Sequence, residues 1–407
     1  MDKTVKKRIA LITTWFPPQK SVATNRMEAF AKYLADDFDF EVFGLNDQKS
    51  EIIWNDNVLV HYNSSNTLFD KLKSNQSDGK WKHKFKTLLR VILMKLSSNP
   101  LAKWKQNTKV DLVNRHKLAP FDVIISSYAP IEPHLIAAEM VQEFPSLIWV
   151  ADMRDEMSKN PGILASQLEL YKSVESLVNQ YATIISSVSK PIVDDFSVLC
   201  PNIKSSLEVR NGYDHDFQPN SENKMNGIFT LGYFGSFYGV IKPDVFFQAL
   251  VEILNDDNEF DFELNIVGAH NNFNIPEKIL SKVNRVAPLK YTDAIESMSK
   301  MDCNVLINPR STRKGVYTGK LFDYISVQRS VLALVDTDDV AAQLVSDFDA
   351  GYIAECSEIE DNKKAILAAY KDWQNQQMKT ASIENIQSLH RSHQVKILSD
   401  QLKKLLN

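Results

Sequence analysis

Residues 315–335 (GVYTGKLFDYISVQRSVLALV) constrain the fold more than any other stretch of the chain. A polar turn with two glycines runs into an amphipathic helical pattern, and Lys320 lies in the first turn of that helix. Residues 331–335 then have the length and β-branched content of a buried parallel strand. A loop followed by a helix N-terminus can bind an anion, because free N–H groups and a first-turn Lys both attract negative charge. An ordinary surface turn before a helix gives the same pattern, so both interpretations stay open.

The first half of the chain begins with a strand, a helix and a second strand. Residues 8–14 (RIALITT) predict a buried strand, residues 25–34 a helix, and residues 40–45 (FEVFGL) the next strand. This spacing is typical of a βαβ unit and predicts a doubly wound parallel sheet.

A second series of strands and helices follows a polar linker at residues 218–227 (QPNSENKMNG). It opens with a predicted strand at residues 229–233, which ends in a glycine-bounded turn. Nine of the twelve glycines lie between Gly212 and Gly351. Because close backbone approach to a pyrophosphate needs glycine, the second half is the better candidate for binding a nucleotide. The sequence predicts an α/β fold of two Rossmann-like domains.

Composition limits the class of protein. The 407 residues suffice for two domains, and 44% hydrophobic with 24% charged residues is typical of a soluble globular protein. No apolar run approaches the roughly 18 residues of a transmembrane helix. The three cysteines are far apart and odd in number, which favours reduced thiols in a cytoplasmic protein over a disulfide framework or a zinc site. We therefore expect no metal site and no cofactor.

Two segments resemble the donor-binding region of family-four nucleotide-sugar glycosyltransferases. They are residues 320–324 (KLFDY) and 330–333 (SVLA), where the family has Lys-Leu-Phe-Glu-Tyr and a strand of the Pro-Val-Leu-Ala type. The resemblance implies that the acidic residue Asp323 contacts the donor ribose. In the family a second Glu, eight positions upstream, is placed near the transferring sugar. Gly315 occupies that position here, so the acidic pair is incomplete.

The resemblance extends to other loops of the second half. The turn after residues 229–233 resembles the family's donor loop, in which Gly235 would permit backbone approach and Lys242 could reach a phosphate. Residues after the third strand of this half contact the base in the family. The predicted donor-binding residues are Gly235, Ser236, Lys242, Pro288, Leu289, Gly319, Lys320, Leu321 and Asp323.

The first half contains a second candidate cluster, Asp-Met-Arg-Asp at residues 152–155, directly after a predicted strand. An Arg between two carboxylates can hold one of them and leave the other to accept a proton or a sugar hydroxyl. A structural ion-pair cluster is the alternative. The motif, and a Ser-Ser-x-Pro loop before it, resemble segments of the same family. The predicted catalytic residues are Asp155, Arg154 and Asp152, and the predicted acceptor-side residues are Arg26, Ser127 and Tyr128. For Arg26, a solvated helix side chain is the alternative.

The resemblance covers most of the chain and implies the GT-B fold, in which two Rossmann-like domains face each other across a cleft. We expect an acceptor-binding domain at residues 1–215 and a nucleotide-sugar-binding domain at residues 216–384. A last helix, at about residues 385–407, would cross back to the first domain. Helix N-termini and Lys320, with Lys242 as a further candidate, would stabilise the leaving diphosphate, so we expect metal-independent transfer. Retention at the anomeric carbon is implied by the family alone.

Positive charge is concentrated in residues 71–117, with thirteen Lys and Arg against two acidic residues. Within residues 80–109, apolar side chains fall on one helical face, and Trp81 and Trp104 flank the pattern. A basic amphipathic helix with Trp is typical of a peripheral anchor on an anionic membrane. A helix that packs on the sheet and exposes its Lys side is the alternative. No nucleic-acid-binding motif accompanies these residues, so we expect no nucleic-acid partner.

Three functions remain open on this basis. The first is a glycosyltransferase that uses a nucleotide sugar to extend a glycan or lipid-linked acceptor in surface polysaccharide synthesis. Such an enzyme would be cytoplasmic and could lie at the inner face of the cell membrane. The second is a sugar-nucleotide epimerase of the same fold, which would need acid–base residues around the donor sugar. The third is a catalytically weakened protein that binds sugar nucleotides.

Overall fold

The computed structural model describes residues 6–65, 100–217, 227–257, 259–269 and 273–406. They divide into two units, each built around its own sheet. The first unit runs to Val209 and resumes at Val395, and the second is Arg210–Gln394. The predicted α/β class with two Rossmann-like domains is confirmed.

The first unit contains an eight-stranded sheet in the order β3-β4-β2-β1-β5-β6-β7-β8. Every pairing is parallel except that of β3 with β4. In chain order its elements are β1 (Arg8–Ile12), α1 (Val22–Leu34), β2 (Asp39–Leu45), β3 (Ser50–Trp54), β4 (Val58–Asn63), α2 (Ala102–Leu118), β5 (Val123–Tyr128), α3 (Glu132–Glu143), β6 (Ile148–Met153), α4 (Ala165–Tyr181), β7 (Ile184–Ser187), α5 (Lys190–Leu199) and β8 (Ser205–Glu208).

The central strands of this sheet are buried on both faces, which explains their continuous apolar sequence. Along β1, Ile9 and Leu11 pack into one core while Ala10 and Ile12 pack into the other. Helix α1 covers the first of these cores, and α2 to α5 cover the second. Ser21 begins α1 by accepting a hydrogen bond from the Thr24 N–H at 3.0 Å, a standard N-cap.

The second unit contains six parallel strands in the order β11-β10-β9-β12-β13-β14. Renumbered within the unit, this is the Rossmann order 3-2-1-4-5-6, whose order reverses between β9 and β12. In chain order its elements are β9 (Phe229–Phe234), α6 (Asp244–Asp256), β10 (Phe262–Val267), α7 (Glu277–Leu280), β11 (Val283–Val286), α8 (Tyr291–Ser299), β12 (Cys303–Asn308), α9 (Gly319–Ser326), β13 (Ser330–Val335), α10 (Val340–Asp347), β14 (Gly351–Glu355), α11 (Ile359–Gln374) and α12 (Ile383–Ser388).

The last helix, α13 (Arg391–Leu406), begins in the second unit and continues in the first. Its apolar residues Val395, Leu398 and Leu402 are buried in the same core as α1. The spacing of these three residues places them on one face of the helix, which accounts for their burial.

The structure corrects part of the membrane prediction. Trp104, expected at headgroup depth, is fully buried, and its indole N–H donates to the Gly44 carbonyl at 3.1 Å. Lys105 and Lys109 both pair with Glu139 on α3. From residue 102 onward the basic span is therefore a helix that packs on the sheet. Trp81 and residues 80–99 lie outside the described residues. Within the described ranges, no helix is long and apolar enough to cross a bilayer.

Candidate functional site

Ligands of a doubly wound sheet bind at the carboxyl ends of its strands, where the strand order reverses. In the second unit, three loops meet at this edge. The Gly235 N–H donates to the Val267 carbonyl at 2.8 Å, and the Gly268 N–H donates to the Val286 carbonyl at 2.9 Å. The Ser236 hydroxyl donates to the Gly268 carbonyl at 3.3 Å. The loops after β9, β10 and β11 are therefore held together by their own backbones.

Gly235 lies directly against the Lys320 side chain. Its φ of 114° lies in a region that L side chains rarely adopt. A Cβ there would lie 2.7 Å from both Cε and Nζ of Lys320. Pro288 belongs to the same group of loops, because a Cβ on Gly268 would lie 3.7 Å from the Pro288 Cα. Leu289, next to it, is 39% exposed and so can contact a ligand.

Lys320 supplies a positive charge beside Gly235. Its Nζ lies 4.6 Å from the centroid of the Tyr233 ring and donates to the Tyr233 hydroxyl at 3.4 Å. Burial lowers the pKa of Lys320 to about 8. Among the described residues, no carboxylate forms an ion pair with it. A half-buried ammonium without a counter-charge is costly, and a bound anion would remove that cost.

The N-terminus of α9 adds a second positive feature beside Lys320. The N-cap residue Thr318 has extended backbone and makes no capping hydrogen bond, and its buried hydroxyl lacks a partner in the part of the chain that the structure describes. Apart from its chain neighbours and the backbone of α9 itself, no atom of the described residues lies within 4 Å of the Cβ position of Gly319, so the space beside the first turn is open. Free N–H groups, the helix dipole and Lys320 therefore converge. We call Gly235, Gly319, Lys320 and the first turn of α9 the Lys320 site.

Asp323 lies one helical turn after Lys320, on the same side of α9. It is half-buried, and its Oδ1 accepts a hydrogen bond from the Tyr291 hydroxyl at 2.8 Å. Burial raises the pKa of Asp323 to about 6, although the Tyr291 hydrogen bond and the positive charge of Arg391 act in the opposite direction. The carboxylate is thus placed, at an energetic cost, where a ligand with hydroxyl groups could reach it.

Two predicted donor-binding side chains, of Leu321 and Lys242, do not face the Lys320 site, and Gly315 lies in a turn of its own. Leu321 is fully buried in the core, so its side chain cannot contact a ligand. Lys242 is exposed and lines a separate hollow of about 390 Å³ with Tyr238 and other residues of the same loop. Gly315 has a φ of 81° and donates its N–H to Asp339 Oδ1 at 2.7 Å. A Glu in that backbone conformation would be strained.

The carboxyl edge of the first sheet is organised around Asp152, which is fully buried. The Arg26 guanidinium donates to it from α1, with Nη2 2.7 Å from Oδ1. The Ser127 and Ser186 hydroxyls donate to its two oxygens at 3.0 Å and 2.8 Å. Burial alone would raise the pKa of Asp152, but the charge and hydrogen bonds of Arg26 hold it below its usual value.

This network changes the predicted roles of four residues. Arg26 and Asp152 form a buried ion pair rather than a surface that a substrate contacts, and Arg26 is neither solvated nor accessible. Ser127 is 1% exposed and Tyr128 is 5% exposed, so neither side chain is open to an acceptor in this structure. For Asp152 the structural alternative holds.

Arg154 and Asp155 lie at the same edge and are partly exposed. Arg154 Nε donates to the Ser127 hydroxyl at 3.1 Å, and its Nη2 donates to the Ala129 carbonyl at 2.9 Å. The guanidinium is thereby fixed to the loop after β5. Of the two carboxylates in the motif, Asp155 is therefore the one that solvent reaches. It lies beside Arg154, whose orientation is fixed.

No family model matches the chain, and no curated protein matches it. Solved structures do. Sucrose-phosphate synthase from Thermosynechococcus elongatus aligns with a TM-score of 0.66 at 13% identity, over 98% of this chain and 99% of that one. A trehalose-6-phosphate protein from E. coli bound with UDP-2-fluoro glucose gives 0.61 at 9%, with the same coverage. The lipopolysaccharide outer core galactosyltransferase WaaB gives 0.61 at 12%, again with the same coverage. The chain has the GT-B fold.

Two residues of this GT-B protein's candidate sites were not predicted from the sequence. Tyr291 follows the predicted base-contacting residues by two positions, and an aromatic residue at the start of a helix after that loop was the available signal. Ser186 binds Asp152 from β7, and nothing in its local sequence distinguishes it from other serines. Among the described residues, no group of three His, Cys, Asp or Glu side chains could hold a metal ion.

Proposed function

We propose that the protein is a glycosyltransferase that transfers a sugar from a nucleotide-sugar donor to a glycan or lipid-linked acceptor. The donor would bind the second unit and the acceptor the first. One observation carries the proposal: a half-buried lysine, with no ion-pair partner among the described residues, lies against a glycine loop at the start of a helix. The similar E. coli protein bound with UDP-2-fluoro glucose and the similar galactosyltransferase support the choice of donor and reaction class.

In this proposal the Lys320 site holds the diphosphate. Glycosyl transfer leaves negative charge on the departing nucleoside diphosphate, so groups already placed at those oxygens lower the barrier. Lys320 and the N-terminus of α9 supply that positive charge, and Gly235 lets the phosphate approach the backbone. We propose metal-independent transfer because this charge comes from the protein itself. Retention at the anomeric carbon is proposed from the family resemblance alone.

Asp323 and Tyr291 would bind the nucleoside. A ribose offers two neighbouring hydroxyls, which a carboxylate can accept together. Because Tyr291 already donates to Asp323 Oδ1, the phenol holds the carboxylate in position before the donor binds. Pro288 and Leu289 lie next along the edge and would contact the base. At the first sheet, Arg154 would orient Asp155, and Asp155 would accept the proton or hydroxyl of the acceptor.

The test is calorimetric titration of the protein with UDP. Lys320→Ala should weaken binding by about 1.5–3 kcal/mol, the value of a charge-assisted contact, which is roughly a 10- to 150-fold loss of affinity. Lys371→Ala is the matched control, because Lys371 is an exposed lysine on α11 of the same unit. Equal affinity of the Lys320→Ala variant and the wild type would remove Lys320 from the site.

The epimerase alternative requires a separate experiment. The protein is incubated with UDP-glucose in the absence of any acceptor, and the sugar nucleotide is then analysed for a change at a ring carbon. A transferase leaves the sugar ring unchanged or slowly hydrolyses the donor, whereas an epimerase yields a second sugar nucleotide. Binding of donor without turnover on any acceptor would instead support the weakened binding protein.

A lipid-linked acceptor would require the enzyme to work at a membrane surface. We propose that the cations of residues 80–99 provide this attachment at the cytoplasmic leaflet, on the basis of sequence alone. Trp104 is excluded from the attachment because it is buried in the first unit.

A further inference from the structure

The first unit contains a polar groove that the proposed catalytic groups do not use. It runs between α2 and the paired strands β3 and β4 and consists of two adjoining hollows of about 660 and 270 Å³. The two hollows share Lys49 and Asp111, which form an ion pair at 2.8 Å. One wall is a single face of α2, since its lining residues recur at spacings of three and four. We call this feature the α2 groove.

Asn63, the last residue of β4, lines the larger hollow and is only 1% exposed. Both polar atoms of its side chain lack a hydrogen-bond partner in the structure as described. A buried amide that makes no hydrogen bond is costly, and folded proteins rarely contain one without a reason. The unused donors and acceptor of Asn63 therefore call for a ligand with hydrogen-bonding groups of both kinds.

The remaining lining of the α2 groove indicates the chemistry of that ligand. Its charged groups are largely paired within the protein, because Lys49 binds Asp111, Arg115 binds Glu41, and His61 contacts Glu51. Apart from the exposed Lys103, the hydrogen-bonding capacity that the described residues leave uncommitted lies in three amides of α2. They are Gln106, Asn107 and Asn114. Amides both donate and accept, which suits hydroxyl groups and gives no net attraction for an anion.

We propose that the α2 groove binds the sugar hydroxyls of a neutral glycan, which is the acceptor of the proposed transfer. The identification of this glycan as the acceptor rests on the proposed function. The binding of a glycan in the groove does not depend on it. Asn63 ends β4 at the same edge of the sheet where β5 and β6 end, because all three strands are parallel members of one sheet. Four strand spacings separate β4 from β6, or about 19 Å. A single sugar cannot span that distance, so the acceptor is a chain of several sugars.

The test measures binding of free neutral trisaccharides to the full-length protein by saturation-transfer NMR, without donor. The probes are trisaccharides of glucose, galactose and N-acetylglucosamine. Wild type should bind at least one of them, and Asn63→Leu should weaken that binding at least tenfold. Because the substitution removes an unsatisfied buried amide, the melting temperature should stay constant or rise by a few degrees. Gln142→Leu, an exposed amide at the end of α3, is the matched control and should bind as wild type does.

A second variant covers the case in which Asn63→Leu does not fold. The double substitution Gln106→Ala and Asn107→Ala changes the partly or fully exposed face of α2 and should also weaken trisaccharide binding tenfold. Failure of wild type to bind any probe, or equal binding by wild type and a folded groove variant, would overturn the proposal. Displacement of the trisaccharide by inorganic phosphate would overturn it as well, because it would indicate an anion site. UDP titration of each variant distinguishes failure of the groove proposal from failure of the proposed function, since donor binding should not change in the groove variants.

Discussion

Replacing Asp323 with Asn should stabilise the protein at neutral pH while it weakens nucleotide binding. Burial raises the pKa of Asp323 to about 6 from its ordinary value of 3.8. The folded state therefore holds the proton more tightly than the unfolded state does. The stability contributed by this site is present below pH 3.8 and is lost as the pH rises through about 6. Above that pH, the charged carboxylate destabilises the fold.

The size of the effect follows from the shift. Two pKa units correspond to about 3 kcal/mol, and partial solvent access makes about 2 kcal/mol the better expectation. For a protein unit of this size, that difference raises the melting temperature by about 4–8 °C. Asn can still accept from Tyr291, so the substitution removes the charge and keeps the hydrogen bond.

The assay is thermal unfolding of wild type and Asp323→Asn at pH 4.5 and pH 7.5, with UDP titration at pH 7.5. The variant should be more stable than wild type at pH 7.5 by several degrees, with a smaller difference at pH 4.5, and it should bind UDP more weakly. Asp293→Asn, an exposed carboxylate on α8, should show neither effect. Equal gains at both pH values, or unchanged UDP affinity, would refute the assignment of Asp323 as a buried carboxylate that binds the ribose.

Three further predictions concern the other elements of the proposal. Tyr291→Phe removes a hydrogen bond that lowers the carboxylate pKa, so the midpoint near pH 6 in the pH profile of UDP binding should move to higher pH. Asp155→Asn should reduce turnover by at least tenfold with a melting temperature within about 1 °C of wild type, and a parallel loss of both would return the residue to a structural role. The protein should co-sediment with anionic vesicles at low salt, because each contacting cation contributes roughly 1 kcal/mol. Charge reversal at Lys82, Lys86 and Arg90 should abolish co-sedimentation. Failure of the wild type to co-sediment with such vesicles would refute the membrane proposal.

The fold could be predicted because its signals are local and repeated. Continuous apolar runs such as residues 9–12 and 331–335 indicate buried parallel strands when helical patterns separate them. Gly235 and Lys320 were each named as donor-binding residues, but their contact with each other was not predicted. Tyr291 was not predicted, because its role depends on a contact across 32 positions of the chain.

The roles of the motif at residues 152–155 were harder to predict, because ion pairing and catalysis use the same residue types. Asp152 and Asp155 differ by three positions, yet one is fully buried and the other partly exposed. Asp152 belongs to β6 and is also held by Arg26, which reaches it from a helix 126 positions away in the chain. Such long-range pairing leaves no local pattern, so the sequence could identify the motif but not its accessible carboxylate.

Gly315 occupies the position at which the resembled family carries its second acidic residue. The position has left-handed backbone, and its N–H donates to Asp339. The preceding loop is held instead by ion pairs: Arg310 and Lys314 both bind the buried Asp336 at the end of β13. Introducing Glu at position 315 would strain the backbone and add charge beside Asp339, so that substitution cannot restore the family's arrangement. Under the proposed function, the groups that contact the transferring sugar would therefore lie elsewhere.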